Sequence, residues 1–483
     1  MRKVRYLIIG AGFGGLGLAA KLKHQGEESF QIWEKAEDLG GCWRDNTYPG
    51  AACDVPSHLY SYSFAPKDNW SYRFAPQAEI HAYQQSFTDQ FNIRTKIHFS
   101  KEVRSAHFDT PLQRWIINDT QGNQICAQFL ISATGQLNRP AYPNIQGLRD
   151  FKGPIFHSAT WQHDVDLTGK TVAVIGTGAS AIQFIPEIAK LAKKVNIYQR
   201  SAPYVIPKPD RKYSKIEQKL YRLLPPLLKL SRLKTYLVFE SRFVAFTSMQ
   251  WIMSIMKWQW RQFMHKNISD PKKRAQLTPN YSMGCKRVLI SNNFYPAINQ
   301  AHVEILDQGI HNIDATGITD SNNNHQAADV IILGTGFTAT EFLSPMSITG
   351  LDNITLNQAW QDGAEAYLGM TVNKFPNFFI MYGPNTNLGH NSILHMLESQ
   401  MRYILSATNS VIKKGITAID IKPRTQHVFN SRIQEKVNNS VWNEGCTSWY
   451  KTKSGKNTVN WPGFTFSYRR MSKQFSLNQY DII

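Results

Sequence analysis

Tyr6-Leu-Ile-Ile9-Gly10-Ala-Gly12-Phe-Gly-Gly15 runs an apolar stretch straight into a GxGxxG turn near the start of the chain. The stretch reads as a buried strand, the glycines as a tight turn, and the residues after them as the first turn of a helix. In that context glycine lets the backbone approach a pyrophosphate, while the helix N-terminus offers unpaired N–H groups to its charge. The pattern recurs. Thr171-Val-Ala-Val-Ile175 leads into Gly176-Thr177-Gly178-Ala179-Ser180-Ala181. Two strand–turn–helix units predict an α/β fold with two Rossmann-like dinucleotide-binding domains, and two dinucleotides imply electron transfer between them.

The residues beyond each turn distinguish the two nucleotides. The first unit continues to Phe30-Gln-Ile-Trp-Glu34, which ends in an acid at the spacing of a ribose contact. Glu34 suits the free ribose hydroxyls of FAD or NAD and would repel a 2′-phosphate. The second continues to Val195-Asn-Ile-Tyr-Gln-Arg200-Ser201, with a cation and a hydroxyl where the acid would be. That pair predicts NADPH.

Between the units lies Phe151-Lys-Gly153-Pro-Ile-Phe-His157-Ser-Ala-Thr-Trp161-Gln162, and earlier Gly41-Cys42-Trp43-Arg-Asp-Asn-Thr-Tyr48-Pro49-Gly50-Ala-Ala-Cys-Asp54. With Ala133-Thr-Gly135, Gly284-Cys-Lys286-Arg287, Gly334-Thr-Gly336-Phe337, Phe375-Pro-Asn377 and Gly383-Pro384-Asn385, the chain resembles the class B flavoprotein monooxygenases, most closely the type I Baeyer–Villiger monooxygenases. The linker matches that family's FxGxxxHxxxW[P/D] signature except at Gln162. The resemblance implies an enzyme in which NADPH reduces FAD and the reduced flavin binds dioxygen as a C4a-peroxyflavin. The peroxide, kept anionic, inserts one oxygen next to the carbonyl of a lipophilic ketone, giving an ester or lactone. It also implies Arg287 as the catalytic cation, oriented bidentately by Asp54, with Lys286 joining Arg200 and Ser201 on the 2′-phosphate. Trp43, Tyr60, Cys42 and Val103 are further cofactor-binding positions. His157 is read as a hinge residue rather than a base, and Trp161 as packing between domains. Two other readings remain: a monooxygenase of the same fold acting on nitrogen, sulfur or long chains, and a membrane- or partner-docking FAD protein with vestigial oxygenation.

The strands and turns divide the chain into 1–150 and 331–483, forming a discontinuous FAD domain, and an inserted NADPH domain over 151–330. A basic helical insertion covers about 208–275. The tail around Gly445-Cys-Thr-Ser-Trp449-Tyr450 and Asn460-Trp461-Pro462-Gly463 either lies over the substrate region or caps the FAD domain. Five cysteines (42, 53, 126, 285 and 446) form no CxxC pair and no zinc spacing, which excludes the redox pair of a flavin disulfide reductase. No signal peptide precedes the first strand, so the expected compartment is the reducing cytoplasm.

The net charge of +19 is concentrated: Arg211 to Arg274 holds fifteen Lys or Arg against three acids. Large apolar residues interleave with them at helical spacing, as in helices that lie on an anionic membrane at its inner face. The longest uncharged run, Phe243 to Met256, is too short to span a bilayer. The plainer expectation is that the apolar residues of the insertion pack on the body and its lysines are solvated. Interleaved aliphatics and the absence of a recognition module argue against nucleic acid.

Overall fold

The computed structural model describes residues 1–247, 249, 251–446 and 448–483. Positions 248 and 250 of the apolar run and 447 of the tail motif lie outside the described residues. The fold is α/β, with two dinucleotide-binding sheets.

The first sheet is built on strand β1 (Arg2–Ile9), which leads into helix α1 (Phe13–His24) and strand β2 (Phe30–Trp33). β1 lies between β2 and β3 (Gln124–Ser132), parallel to both, with Ile9 opposite Trp33 and Ser132. Every residue of β2 is buried, as expected for a strand covered on both faces. Antiparallel strands Val103–Asp109 and Arg114–Asp119 extend the sheet beyond β3.

The second sheet holds five parallel strands. In chain order these are β4 (Ile155–His157), β5 (Thr171–Ile175), β6 (Lys194–Tyr198), β7 (Val303–Leu306) and β8 (Val330–Leu333). In space they run β7-β6-β5-β8-β4, with helix α2 (Ala181–Ile188) crossing from β5 to β6. The chain then returns to the first sheet, where β9 (Phe378–Ile380) pairs with β3 and Ser347–Thr349 pairs with Val103–Asp109. A long helix, Ile393–Lys413, packs on α1.

The insertion is helical, but its apolar residues do not all turn inward. Lys215–Leu223 buries no residue, Pro225–Ser241 buries Leu228, Phe239 and Glu240, and Trp251–Asn267 buries Met253, Trp260 and Met264. Many of its leucines and two tryptophans face outward, which corrects the expectation that they pack on the body. Hydrogen-bonding groups on the inner face account for this: Ser231, Arg232, Tyr236 and Glu240 are bound to the rest of the chain. Among the described residues no helix is long and apolar enough to cross a membrane.

Candidate active site

Both glycine turns have the same backbone form. Gly10 and Gly176 each sit at φ +104°, a region that side chains disfavour. A Cβ at Gly10 would lie 2.8 Å from the Ala133 carbonyl, and one at Gly176 2.5 Å from the Gly334 carbonyl. Gly15 closes the first turn, since a Cβ there would meet the Gly10 carbonyl at 2.0 Å. Helices α1 and α2 begin at Gly12 and Ser180 without a side-chain cap. Their first N–H groups are therefore available to an anion. Gly12, Gly178 and Ala179 line the same cleft.

Glu34 is buried at the end of β2. Its carboxylate accepts from the Ala11 N–H at 2.8 Å and the Ala36 N–H at 3.1 Å, and pairs with Arg44 Nη1 at 3.0 Å. It fixes the first turn and lines the cleft next to Val103. Arg44 escaped the sequence reading although it lies inside the tryptophan motif. At the second nucleotide end Lys286 Nζ donates to Ser201 Oγ at 3.0 Å, and Thr177 Oγ1 donates to the Ser201 carbonyl at 3.4 Å. Burial, then the charge of Arg200, lower the pKa of Lys286. Two cations crowd this corner and await an anion, so the residues fit a 2′-phosphate.

In the same cleft, Arg287 Nη2 donates to Asp54 Oδ2 at 3.0 Å. Only this one contact joins the pair, where the sequence reading expected a bidentate one. The other carboxylate oxygen, Oδ1, instead accepts from Gln183 Nε2 at 3.5 Å. Gln183 stands on α2 and holds the Tyr48–Asp54 loop: its Oε1 accepts from the Tyr48 hydroxyl at 2.9 Å and its Nε2 donates to the Ala52 carbonyl at 3.0 Å. No motif spacing marks it. With 41% of its side chain open to the cleft, Arg287 is only partly withdrawn from water. That withdrawal works against its charge, but Asp54, followed by Tyr450 and Tyr382, more than offsets it and raises the pKa above the ordinary arginine value.

Trp43 Nε1 donates to the Tyr60 hydroxyl at 3.0 Å, and their rings meet edge to face. Cys42 lines the cleft beside them. His157 is fully buried, with Nδ1 accepting from the Ala159 N–H at 3.1 Å, and burial lowers its pKa. Trp161 of the linker and Tyr48 of the first domain's loop both pack on Phe184 of α2. The tail contacts the rest of the chain at two places. Asn460 bonds to Asn387 and the Trp461 N–H to the Asn387 carbonyl, capping the first domain, while Trp449 lines the cleft. Sequence spacing gave no sign that Cys285 and Cys446 are joined in a disulfide, which ties this tail to the loop of Lys286 and Arg287.

Both glycine turns, Glu34, Trp43, Tyr60, the Arg287–Asp54 pair, Gln183, Ser201, Lys286 and Trp449 line one cleft of about 1310 Å³, larger than an ordinary single-ligand pocket. Two nucleotide cradles facing a shared, partly apolar cavity define a flavin-dependent oxidoreductase of the two-dinucleotide kind. The model of the flavin-binding monooxygenase-like family matches residues 3–355, and the chain belongs to that family. It is 42% identical to a Baeyer–Villiger monooxygenase of Pseudomonas aeruginosa, over all of this chain and 92% of that one. It is 41% identical to one of Streptomyces coelicolor, over 99% of this chain and 93% of that one. Among solved structures, an oxidized steroid monooxygenase bound to NADP superposes with a TM-score of 0.88 at 30% identity, covering 100% and 99% of the two chains. A complex of OTEMO with FAD and NADP superposes at 0.91 and 26%, covering 99% of each. The protein is an NADPH-dependent flavin monooxygenase of the Baeyer–Villiger type, and its cofactors are FAD and NADPH.

Proposed function

We propose that this enzyme converts a lipophilic ketone and O2 into an ester or lactone, with Arg287 as its catalytic cation. The observation that carries the reading is the Arg287–Asp54 pair, set between the two nucleotide cradles in a cleft lined by Trp43, Tyr60, Leu388, Ile393, Leu397 and Trp449. Bound FAD, reduced by NADPH, supplies the activated oxygen. The chain supplies the rest. Arg287 remains a cation whatever the pH and offers its unpaired N–H groups to negative charge on oxygen, a preorganised donor of the oxyanion-hole kind. Asp54 fixes the guanidinium, and Gln183 fixes Asp54. Trp43 and Tyr60 would pack against the flavin ring, and Trp449, another lining residue, would help exclude water from the cleft. The 2′-phosphate of NADPH goes to Arg200, Ser201 and Lys286, and its pyrophosphate to Gly176, Gly178 and the start of α2 at Ser180 and Ala181. FAD goes to Gly10, Gly12, Gly15 and Glu34, with Cys42 and Val103 at its edge.

The two separate sheets support a division into an FAD domain of residues 1–150 and 331–483 and an NADPH domain of 151–330 with the insertion at about 208–275, except that β8 (Val330–Leu333) belongs to the second sheet and moves the later boundary past Leu333. The cellular setting of this reading is the cytoplasm, with the basic insertion against the inner face of the membrane. The test is product analysis with NADPH, labelled dioxygen and a panel of ketones. The expected result is an ester or lactone carrying one labelled oxygen. Arg287→Ala is expected to cut ester formation by at least about 100-fold while NADPH still reduces the flavin. Oxygenated amines or sulfides with no ester from any ketone would overturn the reading.

A further inference from the structure

The insertion carries an apolar ridge that none of the described residues covers. Ile216, Leu220 and Leu223 lie on Lys215–Leu223 at spacings of four and three, and Leu227, Leu230 and Leu237 continue the row along Pro225–Ser241. Ile216 is 73% exposed, Leu223 63%, Leu230 61% and Leu237 56%. Isolated exposed leucines are ordinary, but a row of them spanning two helices is not. Nor is the ridge a displaced core face, because the opposite side of the second helix is fully engaged. There Ser231 meets His58, Arg232 donates to the His58 and Ser61 carbonyls, and Glu240 accepts from Asn391. The ridge is what remains for something outside the chain.

The charge around it says what that something is. From 218 to 239 the sequence has five cations (Lys219, Arg222, Lys229, Arg232 and Lys234) and no acid. The two flanking acids are spoken for, since Glu217 is bound by Arg211 and Glu240 is buried. Among the described residues Lys219, Lys229 and Lys234 meet no carboxylate. The second long helix of the insertion repeats the arrangement, with exposed Trp251, Ile255 and Trp258 beside Lys257 and Arg261. Aliphatic and indole side chains bordered by cations match the chemistry of a bilayer surface, acyl chains beneath anionic headgroups. A second copy of the chain matches poorly, because a two-fold interface would set these cations against themselves. Nucleic acid has no use for the leucines.

We infer that the ridge from Ile216 to Leu237 docks the enzyme on an anionic lipid surface, from which it takes its lipophilic substrate. The inference rests on the ketone reading only for the identity of what is taken up. The helix that bears the ridge is bonded through its inner face to the two residues flanking the Tyr60 neighbourhood and to Asn391, and both Tyr60 and Asn391 line the cleft. A docked ridge therefore sits one helix thickness from the reaction cavity.

The test is co-sedimentation of the FAD-loaded enzyme with vesicles of phosphatidylcholine, with and without phosphatidylglycerol, over a range of salt. The expected result is binding to the phosphatidylglycerol vesicles, weakening by about tenfold or more between low and high salt as the charges are screened. Two variants separate the components. Leu227→Glu with Leu230→Glu removes the insertion of apolar groups, and Lys229→Glu with Lys234→Glu reverses the attraction. Each is expected to lower vesicle binding by about tenfold or more, with flavin content and NADPH-driven flavin reduction unchanged. Equal binding to both vesicle types, no binding to either, or binding indifferent to the variants overturns the proposal. A dimer in light scattering that Leu227→Glu with Leu230→Glu dissociates also overturns it, assigning the ridge to a second copy. Vesicle binding is read without any ketone, so a failure of the ketone chemistry would show separately, in the product analysis.

Discussion

The guanidinium of Arg287 is tethered by one hydrogen bond to Asp54, and that carboxylate is held in turn by Gln183. On the proposed reading Gln183 is a positioning residue that acts through Asp54. Replacing it by Leu keeps the volume and removes the bonds to Asp54 and to the Tyr48 and Ala52 groups. The expected outcome is a severalfold drop in ester formed per NADPH consumed, with NADPH affinity unchanged, measured by parallel product and cofactor assays. Lys286 has the opposite profile. Its pKa is lowered because burial and the neighbouring Arg200 make an unpaired ammonium costly there, and a phosphate relieves both. Lys286→Ala is expected to raise the KM for NADPH by on the order of tenfold while leaving that for NADH nearly unchanged, since a charge-assisted contact of this kind is worth about 1.5–3 kcal/mol.

At the scale of elements, the strand–turn–helix units were legible because glycine at φ +104° leaves a sequence trace that nothing else leaves. The acid or cation ending the following strand is equally local. What escaped was contact between segments far apart in sequence. Gln183 looks like any residue on a helix flank, and its partners lie more than a hundred positions earlier. The outward leucines of the insertion have the spacing of a core face. Only the hydrogen bonds on the other side of the helix show that the face is turned out. The Cys285–Cys446 bond joins residues 161 positions apart, beyond any spacing rule. It staples the tail to the loop that carries Lys286 and Arg287. Cys446→Ser is expected to lower stability by about 2–5 kcal/mol under oxidising conditions and by far less in reductant, as read from denaturant unfolding. The same comparison shows whether a reducing compartment keeps the tail untied.

For the whole molecule, acid sensitivity follows from buried or half-buried titratable groups that do not line the cleft. His58 and His395 are pushed down to about 4, in both cases first by burial, then by neighbouring arginines. Held neutral in the folded chain, they take up protons on unfolding at any pH between about 4 and 6.5, so stability rises with pH across that window, by up to about 1.4 kcal/mol per pH unit for each. Asp420 is pushed up to about 7 by burial, against the pull of backbone N–H bonds. It keeps its proton when folded and loses it when unfolded, so it opposes the histidines over the same range. Two histidines against one carboxyl leave a net rise in the midpoint of thermal unfolding from pH 4.5 to 6.5. Asp420→Asn is expected to steepen it, and His58→Gln to flatten it. The Asp54–Arg287 contact has its consequence at this scale as well. It spans 233 positions of chain, with its carboxylate on a loop of the first half and its cation on a loop of the second. Neither half owns the reacting charge. On the proposed reading, rocking of one sheet on the other would part the two groups, so the contact would act as an interlock that brings carboxylate and cation together only while the two halves are together.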